Sequence, residues 1–171
     1  GINGLIDMVY NKSKATLIIL DNGTTGMTGR QDHPGTGYSL KGSESYRVDL
    51  EGLCRAVGVN HVTTVDPYQM EETRLAIQAA MQTPEVAVVI TRRPCVLIKH
   101  DVLEKRAPLY VDADKCTGCK ACLKIGCPAI EWQPTEEDGA RGVAKVDRLL
   151  CTGCGICEQL CKFAAFGVCN D

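Results

Sequence analysis

The stretch Asp114-Lys115-Cys116-Thr117-Gly118-Cys119-Lys120-Ala121-Cys122-Leu123-Lys124-Ile125-Gly126-Cys127-Pro128 has an echo further along the chain, Leu149-Leu150-Cys151-Thr152-Gly153-Cys154-Gly155-Ile156-Cys157-Glu158-Gln159-Leu160-Cys161-Lys162. In each set, three cysteines are separated by two residues and a fourth follows after a short step. The sets close a chain whose earlier part is poor in cysteine and reads as α/β, which is not the layout of a small secreted disulfide scaffold.

The rhythm is close to the bacterial ferredoxin run, in which the fourth cysteine of each set ligates the cluster of the other set. It predicts two 4Fe-4S clusters with crossed ligands: Cys116, Cys119, Cys122 and Cys161 on one, and Cys151, Cys154, Cys157 and Cys127 on the other. Structural zinc is the alternative, because paired C-x-x-C motifs also build zinc ribbons. A ribbon would leave the middle cysteine of each set, and Pro128, without a purpose. Two features depart from the run: four residues rather than three separate Cys122 from Cys127, and Lys162 stands where Pro normally follows the last cysteine. A bulge absorbs the extra residue, and the charge of Lys162 is expected to raise the potential of the nearer cluster. Cys54 and Cys95 lie outside the rhythm and read as small buried hydrophobes; Cys169 has no assigned role.

The 171 residues have room for one modest domain and a small appendage. A net charge of -2, with acidic and basic residues interspersed, gives no electrostatic footprint for nucleic acid or an anionic membrane surface. No apolar run reaches the length of a membrane span, and no secretory leader is visible. Reduced thiols then make the cytoplasm the expected compartment. The first residues, Gly1-Ile2-Asn3-Gly4, carry no initiator Met and read as entered in mid-fold.

Working outward towards the N-terminus, Ile2, Leu5, Ile6 and Val9 form the stripe of a helix. Residues 16–20 read as a fully buried parallel strand. Directly after it come Asp21-Asn22-Gly23-Thr24-Thr25-Gly26-Met27-Thr28-Gly29 and Gln31-Asp32-His33-Pro34-Gly35-Thr36-Gly37. Ligands of open α/β sheets bind beyond the carboxyl ends of the strands, where this loop falls. Its glycines let backbone N–H groups approach phosphate, and Asn and Thr offer the hard oxygens that Mg prefers. A solvated Gly/Thr surface loop is the plain alternative. Neither a Walker motif nor the dinucleotide fingerprint is present.

Further on, Asp49 is placed to cap a helix carrying Leu50, Leu53, Cys54 and Val57 and ended by Gly58. Strands are expected at 62–65 and 86–90. Between them Asp66 is expected as N-cap, Pro67 as first helical residue, and 68–82 as helix. This alternation predicts a parallel sheet covered on both faces. The charged run 99–107 reads as a solvated linker, with His100 an exposed polar residue and His61 likewise. In the last third, Leu109-Tyr110-Val111 is expected to pair with the end of the module. Residues 129–132 and 142–146 flank a polar turn at 136–139 as a hairpin. The duplication predicts a pseudo-twofold with the clusters close together.

Taken together, the loop after residue 20, the Gln31 to Gly37 segment and the two cysteine sets resemble the thiamine-diphosphate 2-oxoacid:ferredoxin oxidoreductases, specifically the end of the large subunit of the indolepyruvate type. The resemblance implies an α/β architecture: part of a parallel-sheet thiamine-diphosphate-binding domain over 1–99, a linker over 100–108, and a small α+β ferredoxin-like domain with two 4Fe-4S clusters over 109–171. It implies a diphosphate site at Asn22, Gly23, Thr24, Thr25, Met27, Thr28 and Gly29, with Mg on Asn22 and the carbonyl of Thr24. The remaining Mg ligand of that family belongs to a Gly-Asp element expected before Gly1. The implied reaction is oxidative decarboxylation of an aryl 2-oxoacid, with coenzyme A taking the acyl group and electrons leaving through the clusters to an external ferredoxin. A smaller beta subunit is the implied partner. His33 is a candidate acid/base group, with a hydrogen-bonded loop histidine as the alternative. The competing function is an electron-transfer module whose α/β part only docks a partner.

Overall fold

The structure, a computed structural model, describes residues 1–98, 107–135 and 141–169. The linker expected over 100–108 falls largely outside these residues, and His100 and the turn at 136–139 fall wholly outside them. The chain divides into two compact units, Gly1–His100 and Asp101–Asp171.

The first unit is built on a three-stranded parallel sheet. Its elements are α1 (Ile2–Tyr10), β1 (Thr16–Asp21), α2 (Leu50–Ala56), β2 (His61–Val65), α3 (Met70–Gln82) and β3 (Ala87–Arg92), with strand order β1-β3-β2. Thr16 and His61 both sit opposite Ala87, so all three strands end together at their carboxyl ends. The central strand is the most apolar, and alternation sends Val88 and Ile90 to one face and Ala87 and Val89 to the other. Leu5 of α1 and Cys54 of α2 pack on the first face, while Ala76, Ile77 and Ala80 of α3 pack on the second. Asp49 caps α2 through its carboxylate, which accepts from the Glu51 N–H at 3.1 Å. Ile90 is fully enclosed, at 0% exposure. Ile90→Ala is expected to destabilise this unit by about 2–5 kcal/mol, read as a lower urea midpoint of the far-ultraviolet dichroism.

The structure corrects four expectations. α3 starts at Met70 rather than at residue 68, and Asp66 is not its cap. The Asp66 carboxylate instead accepts from the Tyr68 N–H at 2.9 Å, and its carbonyl accepts from the Gln69 N–H at 2.9 Å. This closes a separate turn before the helix begins, a competition open to any Asp beside free amides. Cys95 is half-buried rather than buried, because it follows β3 in a loop. β1 is not fully buried: Leu17 and Ile19 face the core, but Ile18 is 42% and Leu20 77% exposed, since β1 lies at the sheet edge and α3 packs mainly on β2 and β3. His61 is exposed, as expected, at the first position of β2, and its Nε2 is 2.9 Å from the Glu85 carboxylate.

The second unit contains β4 (Leu109–Val111), a 3-10 turn (Cys122–Ile125), β5 (Ile130–Pro134), β6 (Gly142–Val146), α4 (Ile156–Leu160) and β7 (Phe166–Val168). β4 pairs antiparallel with β7, and β5 with β6. Its core joins Leu109 and Ala144 to two thiols, Cys122 and Cys157. Much of the room that apolar side chains fill in an ordinary domain is thus lined by sulfur. Among the described residues no helix is long and apolar enough to cross a membrane.

Candidate functional site

At the carboxyl end of β1, Asp21 turns inward and is 8% exposed. Its carboxylate accepts from Arg92 Nε at 2.8 Å at the end of β3, and Arg47 lies 3.9 Å away. Arg92 also reaches Glu51, whose carboxylate accepts from the Thr64 hydroxyl at 2.6 Å. Asp21 of β1 and Arg92 of β3 are thus linked through Glu51 of α2 to the Thr64 hydroxyl of β2, joining the carboxyl ends of all three strands. The sequence reading missed Arg47, Glu51 and Arg92; the charged pair Arg92-Arg93 at the carboxyl end of a buried strand was the available signal.

The Gly/Thr loop is pinned from both sides. Asn22 Oδ1 accepts from the Thr24 N–H at 3.1 Å, and the Asn22 carbonyl accepts from the Cys95 N–H at 2.9 Å. Gly23 has φ +69°, which this tight reversal requires and which a side chain would strain. The chain then closes on itself where the Thr25 N–H donates to the Gln31 carbonyl at 3.0 Å, and Arg30 donates to the Leu97 carbonyl at 2.6 Å. Thr24 is buried, whereas Asn22, Thr25, Met27, Thr28 and Gly29 are exposed. Asn22 and Thr24 thus share one turn and offer an amide oxygen and a carbonyl, a donor set that fits a hard cation. His33 Nδ1 accepts from the Gly35 N–H at 3.1 Å, and its carbonyl accepts from the Thr36 N–H at 2.9 Å. The imidazole is therefore engaged in shaping its own loop.

In the second unit the two cysteine sets enter by the same backbone device. The Cys116 N–H donates to the Asp112 carbonyl and the Cys151 N–H to the Asp147 carbonyl, each at 3.0 Å. The two carboxylates repeat the symmetry, accepting from the N–H of Asp114 at 3.1 Å and of Leu149 at 2.8 Å. Lys115, 3.0 Å from Asp112, holds that carboxyl below its ordinary range. The following glycines match as well, Gly118 at φ +70° and Gly153 at φ +66°. A side chain on Gly118 would also meet the Gly142 carbonyl at 2.7 Å. The sequence reading began the repeat at Asp114 and missed the aspartates four residues before each first cysteine.

All eleven cysteines are free thiols. Cys116, Cys119, Cys122 and Cys161 line one cavity, together with Lys120 and Trp132. Cys127, Cys151, Cys154 and Cys157 line a second, together with Leu150 and Ile156. Cys122 and Cys157, the third cysteines of the two sets, belong to one packed cluster. Burial pushes the Cys122 thiol up, and burial with the neighbouring Cys154 and Cys151 pushes Cys157 up to about 12. Thiols so reluctant to ionise give up their protons when a metal takes their place. The Leu109 N–H points at Cys151 Sγ and the Ala165 N–H at Cys161 Sγ, each at 3.4 Å. Lys162 is exposed and does not line either cavity.

Four thiols around each of two cavities suit the cubane chemistry of iron–sulfur proteins, and a glycine-bearing turn past the carboxyl end of a parallel strand suits a cofactor phosphate. Fold and sites together define a cofactor-dependent redox protein. Residues 1–91 match the family described as thiamine pyrophosphate enzyme, C-terminal TPP binding domain, and residues 115–165 match the 4Fe-4S dicluster domain. The chain belongs to the thiamine pyrophosphate enzyme family, with a dicluster domain following in the same chain. It is 42% identical to indolepyruvate oxidoreductase subunit IorA of Pyrococcus abyssi, over 97% of this chain and 26% of that protein. It is 41% identical to the subunit of the same name from Thermococcus kodakarensis, with the same coverage. The figure is 37% for that of Archaeoglobus fulgidus, over 94% of this chain and 25% of the relative. The chain spans about a quarter of the length of these curated relatives.

Proposed function

We propose that the chain supplies the diphosphate-binding end and the electron outlet of a 2-oxoacid:ferredoxin oxidoreductase acting on aryl 2-oxoacids of the indolepyruvate type. The observation that carries this reading is the sorting of eight thiols into two groups of four in a chain that also matches a thiamine pyrophosphate binding domain. That match favours an enzyme over a docking platform.

Bound thiamine diphosphate supplies an electron sink for decarboxylating a 2-oxoacid, and 4Fe-4S centres carry the electrons away singly. This chain's residues do the placing. Asn22 Oδ1 and the Thr24 carbonyl would hold Mg, and Gly23, Thr25, Met27, Thr28 and Gly29 would line the approach of the diphosphate. The brace of Asp21, Arg47 and Arg92 keeps that turn at the strand ends. His33 shapes the neighbouring loop, with Nδ1 occupied by the Gly35 N–H. Cys116, Cys119, Cys122 and Cys161 would hold one centre, and Cys127, Cys151, Cys154 and Cys157 the other. The domains follow as 1–99 for the thiamine part, 100–108 for the linker and 109–171 for the two-centre module. A smaller beta subunit, an external ferredoxin and coenzyme A complete the system, in the cytoplasm.

The test is anaerobic ferredoxin reduction by the complete two-subunit enzyme. Bleaching of ferredoxin should require thiamine diphosphate, Mg and coenzyme A, and should be faster with indolepyruvate than with pyruvate. Reduction indifferent to thiamine diphosphate would sink the enzyme reading, and equal rates with pyruvate would remove the aryl preference.

A further inference from the structure

The two cysteine sets repeat one another in the spacing of their first three cysteines, in their aspartate turns and in the left-handed glycine before each second cysteine, and among their differences one falls directly after that second cysteine. In the second set Cys154 is followed by Gly155, at φ +76°. In the first set Cys119 is followed by Lys120, at φ +59°. A left-handed backbone is easy for glycine and costly for a side-chain-bearing residue. Lysine therefore occupies a strained position where the duplicated half has the relaxed residue. Strain kept at a site rather than relieved points to a use for the side chain.

The surroundings show what that use is. Lys120 Nζ lies 4.2 Å from the centre of the Trp132 ring, a cation–π contact that holds a flexible ammonium in one place. Trp132 is itself seated by two glycines: a side chain on Gly118 would come within 3.3 Å of its ring, and one on Gly142 within 2.8 Å. Both Lys120 and Trp132 line the first cavity. Among the described residues, the lining of the second cavity carries no charged side chain. Each cavity receives a backbone N–H on one thiol sulfur, so those contacts do not separate the sites. What separates them is a fixed positive charge at the first, together with the exposure of Cys119.

Charge and solvent exposure both bear on cluster potential. Reduction adds negative charge to the centre, and a nearby ammonium or water stabilises that charge. We propose that Lys120, held on Trp132, makes the centre of the first cavity the more easily reduced of the two, and so the end from which electrons leave. This rests on the dicluster reading above. The gain of one electron by the first centre balances the loss of one by the second, with no bond made or broken.

The test is a redox titration of the complete subunit, followed by electron paramagnetic resonance. Cys116→Ser and Cys151→Ser, each altering one signal, assign the two centres. In the parent the first centre should be reduced at the higher potential. Lys120→Gly, which copies the residue of the other half and relieves the backbone, should keep both centres. At a fixed potential it should lower the reduced-to-oxidised ratio of the first centre by about threefold to tenfold, tenfold being about 59 mV for one electron. Lys120→Arg should restore the parent value, and the second centre should not move in either variant. Unchanged potentials in Lys120→Gly, or a second centre reduced first in the parent, would overturn this inference alone. A chain holding fewer than two four-iron centres would overturn the dicluster reading with it.

Discussion

Cys127→Ala is expected to cost the protein one of its two iron–sulfur centres, and the one lost should be that of the second cysteine set. Cys127 belongs by spacing to the first set, yet its side chain lines the cavity of Cys151, Cys154 and Cys157. The step from Cys122 to Cys127 passes through a 3-10 turn, Cys122–Ile125, that ends on Gly126 at φ +69°. That left-handed residue turns the chain away from the first cavity and delivers the fourth thiol to the other one. A cubane that loses one of four ligands is exposed to solvent on one iron and is degraded or not assembled. Iron analysis of anaerobically prepared protein should fall from about eight to about four per chain. The surviving signal should be the one that Cys116→Ser alters. Loss of that same signal in Cys127→Ala would refute crossed ligation, and stoichiometric zinc in the parent would end the cluster assignment.

The second large effect is expected at Asn22. Its amide oxygen stands in the turn proposed for Mg and also accepts from the Thr24 N–H at 3.1 Å. Asn22→Ala removes both the cation ligand and the side chain that sets the turn. Losing one interaction with a charged group is worth about 1.5–3 kcal/mol, so Mg-dependent binding of thiamine diphosphate to the complete protein should weaken by roughly 10- to 150-fold, the same free energy expressed as a ratio. Calorimetry in Mg buffer measures this directly. Asn22→Asp keeps the oxygen in both roles and should retain binding, which separates a ligand role from simple damage to the loop. Parent-like affinity in Asn22→Ala would remove Asn22 from the cation site.

Much of the fold was legible because the signals are local. The helix over Ile2–Tyr10 and the cap at Asp49 depend on residues within a turn of one another, and the sequence contains both partners. Three strands separated by helices could only form a parallel sheet. The failures were competitions that local pattern does not resolve. Asp66 could cap a helix or close its own turn, and it does the second. The apolar run of β1 looked buried throughout, but burial depends on what lies across the sheet, and Leu20 is exposed. The brace of Arg47, Arg92 and Asp21 joins three distant positions, and no spacing rule links them.

The sequence by itself determined that eight of the thiols come as a duplicated pair of sets, because short-range spacing is a covalent fact of the chain. It also placed the Gly/Thr turn directly after an apolar strand, because strand and loop are contiguous. The rhythm also named the two crossed sets of four, and the tertiary structure lines its two cavities with those sets, the turn after Cys122 sending Cys127 to the second. Only the tertiary structure decided which lysine faces a cavity. Lys162 drew attention by standing next to a cysteine, but it points to solvent, while Lys120 is held over Trp132 at the cavity lining. Adjacency along the chain sets no direction for a side chain; packing against an aromatic ring does.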